Sequence, residues 1–99
     1  MTDRPIRVLP LAAEEAELAR AWYWQRNPKI SEEFLIELDT AMEAIAEQPD
    51  RWVRVGTRYR RYLLRNFPFS VVYLPLANSI EVIAIAHHRR RPGYWRGRR

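Results

Sequence analysis

The 99-residue chain contains no cysteine, a single lysine and only three glycines. Without cysteine it cannot form disulfides, use a thiol nucleophile or hold a metal through thiolate ligands. The glycines, Gly56, Gly93 and Gly97, are isolated in the sequence, which excludes a glycine-rich phosphate-binding loop. These absences remove several large classes of small enzymes and metal-binding domains.

Long hydrophobic runs are also missing. The longest wholly apolar run covers residues 82–86, whereas a membrane-spanning helix needs about 20 such residues. The first five residues, Met-Thr-Asp-Arg-Pro, lack the apolar segment of a signal peptide. With 47% hydrophobic and 29% charged residues, the composition is that of an ordinary globular domain. We therefore expect one soluble, cytoplasmic domain over residues 1–99, with no membrane partner.

Acidic residues are nearly absent from the second half of the chain. Residues 1–50 carry 5 basic and 11 acidic residues, a net charge of −6, whereas residues 51–99 carry 12 arginines and one acid, Glu81, a net charge of +11. A GC-rich genome would also favour arginine over lysine codons, but it does not explain this separation of sign. Because the guanidinium group pairs well with phosphate and carboxylate, the basic half predicts an anionic partner.

The acidic half shows helical periodicity after a short β-prone run at residues 6–9. A first helix is predicted over residues 11–26, with an apolar stripe formed by Ala12, Ala16, Leu18, Ala19, Trp22 and Tyr23. A second helix is predicted to begin at Ser31 as N-cap and to end before Pro49. Its apolar stripe, interpreted as core packing, contains Phe34, Leu35, Leu38, Ala41, Met42 and Ile45. The short connection between the helices predicts an antiparallel helical hairpin.

In the basic half, residues 51–58 are interpreted as a linker, and the periodicity then becomes strand-like. Runs at residues 59–64, 69–74 and 80–87 are rich in β-branched and aromatic residues and are separated by turn segments. They predict an antiparallel meander over residues 59–88, followed by a basic C-terminal segment at 89–99 that is too basic to form core. Together with the strand and helical hairpin at 6–48, this predicts an α+β, two-layer fold in which the hairpin packs on a small antiparallel sheet.

Common catalytic signatures are absent. None of the three serines lies in the context of a nucleophile elbow. His87 and His88 are adjacent, so on a strand they point to opposite faces and cannot share one metal ion. We expect no metal site and no cofactor. Either histidine could act as a general acid or base, or simply bond to backbone at a strand end.

Residues 87–99 interleave six arginines with Tyr94 and Trp95. This composition suits three interpretations: contact with phosphates and bases, a grip on an acidic peptide, or an apolar anchor that folds back onto the sheet and leaves the arginine heads in water. Composition does not separate them. Trp22 and Trp24 are two residues apart and cannot share a helix face, so one is predicted to be exposed, as an interface residue or an isolated surface aromatic.

The chain resembles toxins of the ParE/RelE superfamily, the toxic halves of bacterial type II toxin–antitoxin pairs, over almost its whole length. The segments that carry the resemblance are residues 22–24, 30–38, 45–49, 60–64, 67–73, 82–87, 89–92 and 94–95. The resemblance implies a helical hairpin against a small antiparallel sheet, as the periodicity predicts independently. It also implies a cognate antitoxin with a small acidic and apolar segment, a role in plasmid stabilization, and contact with operator DNA only through the antitoxin.

The superfamily divides by target. RelE-like members cleave mRNA on the ribosome with basic, Tyr or His residues, whereas ParE-like members are associated with poisoning DNA gyrase and perform no chemistry. Nucleases of the superfamily commonly carry a basic residue on the strand that here reads Phe-Ser-Val-Val-Tyr at residues 69–73, without any charge. This departure favours the ParE-like, non-enzymatic branch. A RelE-like endonuclease and a non-toxic, antitoxin-binding member remain alternatives.

These alternatives select different residues. A nuclease site would use Arg60, Arg61, Arg65, His87 and Tyr94. The region that binds the cellular target is predicted to contain Arg89, Arg90, Arg91, Tyr94, Trp95 and Arg96. The antitoxin is predicted to contact Trp22, Arg60, Arg61, Arg65 and Tyr73.

Overall fold

The computed structural model of the chain describes residues 4–99. Its elements, in chain order, are β1 (Ile6–Val8), α1 (Pro10–Arg26), α2 (Pro28–Glu47), β2 (Val53–Val55), β3 (Tyr59–Leu63), β4 (Phe69–Pro75) and β5 (Ile80–His87). The two helices pack on one face of a five-stranded sheet, which confirms the predicted α+β, two-layer fold. Within residues 4–99, no helix is both long and apolar enough to cross a membrane.

The sheet has the order β1-β5-β4-β3-β2 and is mixed, which corrects the expectation of a purely antiparallel sheet. Strands β2 to β5 form antiparallel pairs, but β1 pairs with β5 in parallel, with Ile6 opposite Ile80. A parallel pair requires a long connection between its strands, and here β1 and β5 are joined by the helical hairpin and strands β2 to β4.

The predicted linker at residues 51–58 is also corrected, because it contains strand β2 at the sheet edge. Val53 and Val55 alternate with Arg54 in the pattern of a strand, and Val55 pairs with Tyr59. Gly56 follows with a φ of +67°, a left-handed conformation that starts the tight connection to β3.

The second helix begins four residues earlier than predicted, because its N-cap is Asn27 and not Ser31. Asn27 ends α1 and also caps α2, since its side chain accepts a hydrogen bond from the Lys29 backbone N–H at 3.0 Å and Pro28 occupies the first helical turn. Ser31 is therefore inside α2 and is not its N-cap. Its buried hydroxyl donates to the Arg20 carbonyl at 2.9 Å and fastens the two helices together.

Each helix buries a narrower stripe than its sequence predicts. The predicted core positions Ala12, Ala16, Ala19 and Tyr23 of α1 do pack in the core. Leu18 and Trp22, however, are 63% and 52% exposed, and Leu35 of α2 is also exposed. The exposed pair Leu18 and Trp22 lies four residues apart and forms a second stripe along α1, which is directed toward solvent.

The central strands β4 and β5 are buried on both sides. The helix face of the sheet, which includes Val71 and Val82, packs against α1 and α2. The opposite face, called the outer face here, includes Val72 and Leu74 and packs against Trp95 of the C-terminal segment. The expectation that this segment is too basic to form core is thus wrong at Trp95.

Candidate functional site

The C-terminal segment, residues 89–99, folds back over the outer face. The Trp95 side chain is 4% exposed, and its ring meets the Tyr59 ring edge-on with 4.7 Å between centroids. Gly93 makes the necessary turn with a φ of +75°, where a Cβ atom would lie 2.8 Å from Nε of Arg96. Of the three interpretations of this segment, the apolar anchor is confirmed for Trp95.

Glu15 of α1 joins this segment to the helix and the sheet. Its carboxylate accepts hydrogen bonds from the Tyr94 hydroxyl at 2.6 Å and from both terminal nitrogens of Arg98 at 2.8 Å. It also accepts the Ile85 backbone N–H of β5 at 3.0 Å. The side chains of Glu15 and Arg98 are only 14% and 13% exposed. We call Glu15, Tyr94 and Arg98 the clasp.

The clasp shifts the ionisation of its members. Burial opposes ionisation of the Glu15 carboxyl, but the hydrogen bonds from Arg98, Tyr94 and Ile85 outweigh burial and lower its pKa below 4.5. Burial, followed by the hydrogen bond to Glu15, raises the pKa of the Tyr94 hydroxyl to about 12. At neutral pH the clasp is therefore an ion pair with a neutral tyrosine donor.

A groove of about 880 Å³ lies between α1 and the end of β5, and we call it the α1–β5 groove. Its apolar wall contains the exposed stripe of Leu18 and Trp22, and its basic rim contains Arg89 and Arg90. Ile85 and His87, at the end of β5 that β1 does not cover, also line the groove. The clasp occupies the backbone edge there, since the Ile85 N–H donates to Glu15 and the Ile83 carbonyl accepts from Arg98. An apolar wall and a basic rim suit an acidic and apolar peptide.

A smaller cavity of about 260 Å³ lies on the outer face, and we call it the outer-face cavity. Its lining includes the side chains of Arg61, Ser70, His88, Arg90 and Arg91. The Ser70 hydroxyl is buried and lies 2.9 Å from Nε2 of His88. From the sequence, His88 was considered only as a possible general acid or base, and Ser70 was given no role.

Two arginines predicted for a nuclease site lie on opposite faces of β3. Arg60 pairs with Tyr73, and its Nη1 donates to the Trp52 carbonyl at 2.7 Å on the helix face. Arg61 pairs with Val72 on the outer face. Two adjacent strand residues cannot reach a common point on one face.

The remaining members of that set do not join Arg60 or Arg61 at one point, although His87 and Tyr94 both line the α1–β5 groove. Arg65 lies beyond the end of β3, where its backbone N–H is bound by the Glu37 carboxylate. The His87 ring packs edge-on against Phe69 at 4.9 Å on the helix side, while Tyr94 belongs to the clasp. Burial and the charges of Arg89 and His88 lower the pKa of His87. The five residues thus do not converge.

The residues predicted for antitoxin contact are also dispersed. Trp22 lines the α1–β5 groove, whereas Arg60 and Arg61 are on the two faces of β3 and Arg65 is in the following turn. Tyr73 is fully buried, and its hydroxyl donates to the Pro49 carbonyl at 2.5 Å. Burial raises the pKa of this hydroxyl to about 12. In this structure Tyr73 does not reach the surface.

The residues predicted to bind the cellular target divide into anchors and surface groups. Trp95 is buried and Tyr94 is half-buried in the clasp. The exposed members are Arg89, Arg90, Arg91 and Arg96. The Arg90 guanidinium lies 3.9 Å over the Tyr94 ring and the Arg96 guanidinium 4.8 Å from the Trp95 ring centre. The segment therefore presents arginine heads on an aromatic base.

Over the part of the chain that the structure describes, there is no group of three or more His, Asp or Glu side chains placed to hold a metal ion. Glu15 and Arg98, which fix the C-terminal segment, were missed by sequence analysis. Their contact joins positions 83 residues apart, and no local pattern reports it.

Comparison with known proteins identifies the family. The model for the family described as "ParE toxin of type II toxin-antitoxin system, parDE" matches residues 6–92. The fold is similar to a solved chain from the "Chromosomal ParDE TA system from P. aeruginosa", with a TM-score of 0.74, 12% sequence identity, and coverage of 85% of this chain and 95% of that chain. No protein of curated function shows a significant sequence match. Since the family model spans most of the sequence, this chain belongs to the ParE toxin family of type II toxin–antitoxin systems.

Proposed function

We propose that this toxin inhibits DNA gyrase by binding, without performing chemistry, and that a cognate antitoxin neutralises it through the α1–β5 groove. The observation that carries the non-enzymatic part is the dispersion of the candidate nuclease residues. The Arg60 guanidinium donates a hydrogen bond to the Trp52 carbonyl, and the Tyr94 hydroxyl donates one to the Glu15 carboxylate. Nδ1 of His87 accepts a hydrogen bond from the Arg89 backbone N–H. General acid–base catalysis needs groups within hydrogen-bond reach of one reacting centre, and these three are committed elsewhere.

The exposed arginines of the C-terminal segment are the proposed contact with gyrase. They project from an anchored base, since Trp95 is buried and Arg98 is held by Glu15. Such preorganisation lowers the entropic cost of binding, because the backbone that carries Arg89, Arg90 and Arg91 is fixed before the target is met. Operator DNA is proposed to contact the antitoxin and not this chain.

The triple change of Arg89, Arg90 and Arg91 to glutamine is expected to abolish inhibition of gyrase supercoiling while leaving the fold intact. The three side chains are exposed, so their neutralisation should change the free energy of unfolding by about 0.5 kcal/mol or less per site. The measurement is a supercoiling assay with purified gyrase, with urea unfolding of the same samples. The matched control is Arg51→Gln, an exposed arginine outside this segment.

Mapping of mRNA 5′ ends after induction tests the alternative chemistry. Growth arrest without new ends is the expected result. New ends clustered inside translated codons, with gyrase activity unaffected, would establish an endonuclease and sink the proposal. Normal growth at verified expression would instead identify a non-toxic binding module.

The α1–β5 groove is proposed for the antitoxin because two of its properties match one kind of partner. Leu18 and Trp22 would receive apolar side chains, and Arg89 and Arg90 would receive acidic ones. An antitoxin segment that folds on binding could follow both features around a small domain.

Trp22→Asp is expected to weaken antitoxin binding at least 30-fold, because it places a charge on the apolar wall of the groove at an aromatic anchor. Trp24→Asp is the matched control, since Trp24 is a similarly exposed tryptophan on the same helix that does not line the groove. Affinity would be measured by titration with the antitoxin encoded beside this gene. Equal losses in the two variants would contradict the assignment of the groove.

A further inference from the structure

We infer that the outer-face cavity is a binding site for single-stranded nucleic acid, with a backbone phosphate held between Arg61 and Arg91. This cavity adjoins the α1–β5 groove, and the two share His87, His88, Arg90 and Tyr94 as lining residues. Arg61, Ser70 and Arg91 line the outer-face cavity and not the groove. The inference does not depend on which cellular enzyme the toxin inhibits.

The charge of the cavity is unbalanced. Arg61, Arg90 and Arg91 line it, and none of the lining residues in the described chain is acidic. Glu15, which accepts from the cavity residue Tyr94, is already paired with Arg98. Across residues 4–99, the three cavity arginines form no ion pair. Three guanidinium groups around one small space strongly favour an anionic ligand.

A pair of polar side chains, neither of them acidic, lies beside these arginines. Ser70 is 3% exposed on the middle strand β4, and its hydroxyl is held 2.9 Å from Nε2 of His88 at the cavity rim. The His88 backbone N–H donates to the Pro68 carbonyl at 2.9 Å, which fixes the position of that residue. Hydroxyl and imidazole groups are common partners of phosphate oxygens and complement the guanidinium groups without adding negative charge.

The floor of the cavity is apolar and favours a nucleotide over an acidic peptide. It consists of Leu63, Val72 and Ala86, on adjacent strands of the outer face. A volume of about 260 Å³ is small for a ligand pocket and suits one nucleotide unit. A base or sugar can cover the apolar floor while guanidinium planes pair with phosphate or stack on the base, whereas a short acidic side chain offers no comparable apolar surface.

The test is fluorescence anisotropy of a labelled 12-nucleotide oligothymidylate titrated with the full chain between 50 and 200 mM NaCl. Arg61→Gln and Arg91→Gln are each expected to raise Kd at least fivefold and to reduce the slope of log K against log salt by about 0.7, the value for one lost contact with a single strand. Arg58→Gln is the matched control. Arg58 is an exposed arginine in the β2–β3 connection, outside the cavity, and its loss should change Kd less than twofold.

Three results would overturn the inference. They are an absence of binding by the unmodified chain, equal weakening by all three variants, and displacement of the oligonucleotide by decaglutamate as readily as by unlabelled oligothymidylate. The last result would indicate a general acidic partner. Far-ultraviolet circular dichroism of each variant shows that the fold is retained, which is expected because the Arg61 and Arg91 side chains are exposed.

Discussion

Replacing Trp95 with alanine is expected to lower the free energy of unfolding by about 3–5 kcal/mol, the usual loss for a large aromatic side chain removed from a core. Trp95 is the residue of the C-terminal segment that enters the core of the outer face, where it packs with Val72, Leu74 and Ile83. Its removal would leave a cavity beneath the segment and expose these three side chains to water. Urea unfolding followed by circular dichroism measures the loss.

Trp24→Ala provides the comparison, because Trp24 is half-exposed on α1 and its truncation should change stability by about 0.5 kcal/mol or less. Comparison of Trp95→Ala with the triple arginine-to-glutamine variant separates anchoring of the C-terminal segment from target binding. Trp95→Ala is expected to reduce toxicity only in proportion to the unfolded fraction, whereas the arginine-to-glutamine variant reduces it at full stability. A Trp95→Ala protein as stable as the unmodified chain would show that the segment is not anchored by this ring.

The main elements of this fold are encoded in local patterns that sequence analysis detects. The stripe of Phe34, Leu38, Ala41 and Ile45 predicts α2, and β4 and β5 are dense in β-branched and aromatic residues because they are buried on both faces. Strand β2 was missed because it is only three residues long and its central residue is an arginine. The parallel pairing of β1 with β5 was missed because it joins positions more than 70 residues apart.

Two errors concern signals that were present in the sequence. Asn27-Pro28 ends one helix, but the same pair is also a strong start for the next, with a polar cap and proline in the first turn. Ser31 was predicted as the N-cap because Asn27-Pro28 was interpreted only as the end of α1 and not also as the start of α2. Similarly, Arg60 and Arg61 are adjacent on a predicted strand, so their alternation already places them on opposite faces.

The functional residues were predicted less accurately than the fold, for a different reason. An arginine-rich segment predicts affinity for an anion, but it does not indicate which arginines are already neutralised within the protein, because that depends on contacts distant in sequence. Glu15 resembles an ordinary acidic residue near a helix start, yet it neutralises Arg98. The separation into anchoring residues, Trp95 and Arg98, and free ones, Arg89 to Arg91, appears only when the chain is folded.

Replacing Glu15 with glutamine is expected to destabilise the protein by about 3 kcal/mol at pH 7, because it leaves Arg98 without its partner in a largely buried position. The glutamine amide oxygen can keep the two hydrogen bonds of one carboxylate oxygen, but the amide N–H group then meets an N–H donor of Arg98 in either orientation. In one of the two orientations it also meets the Ile85 N–H. Glu14→Gln removes the same charge from the neighbouring, exposed position and should leave stability nearly unchanged.

The pH dependence of that loss identifies the carboxylate as its source. The pKa of Glu15 in the folded chain is lowered below 4.5, so its stabilising contribution is complete above pH 4.5 and decreases as the pH falls through the folded-state pKa. The difference in unfolding free energy between the unmodified chain and Glu15→Gln should therefore be constant from pH 5 to 8 and shrink toward pH 3. A difference in unfolding free energy that is as large at pH 3 as at pH 7 would mean that Glu15 stabilises the protein through packing and not through its charge.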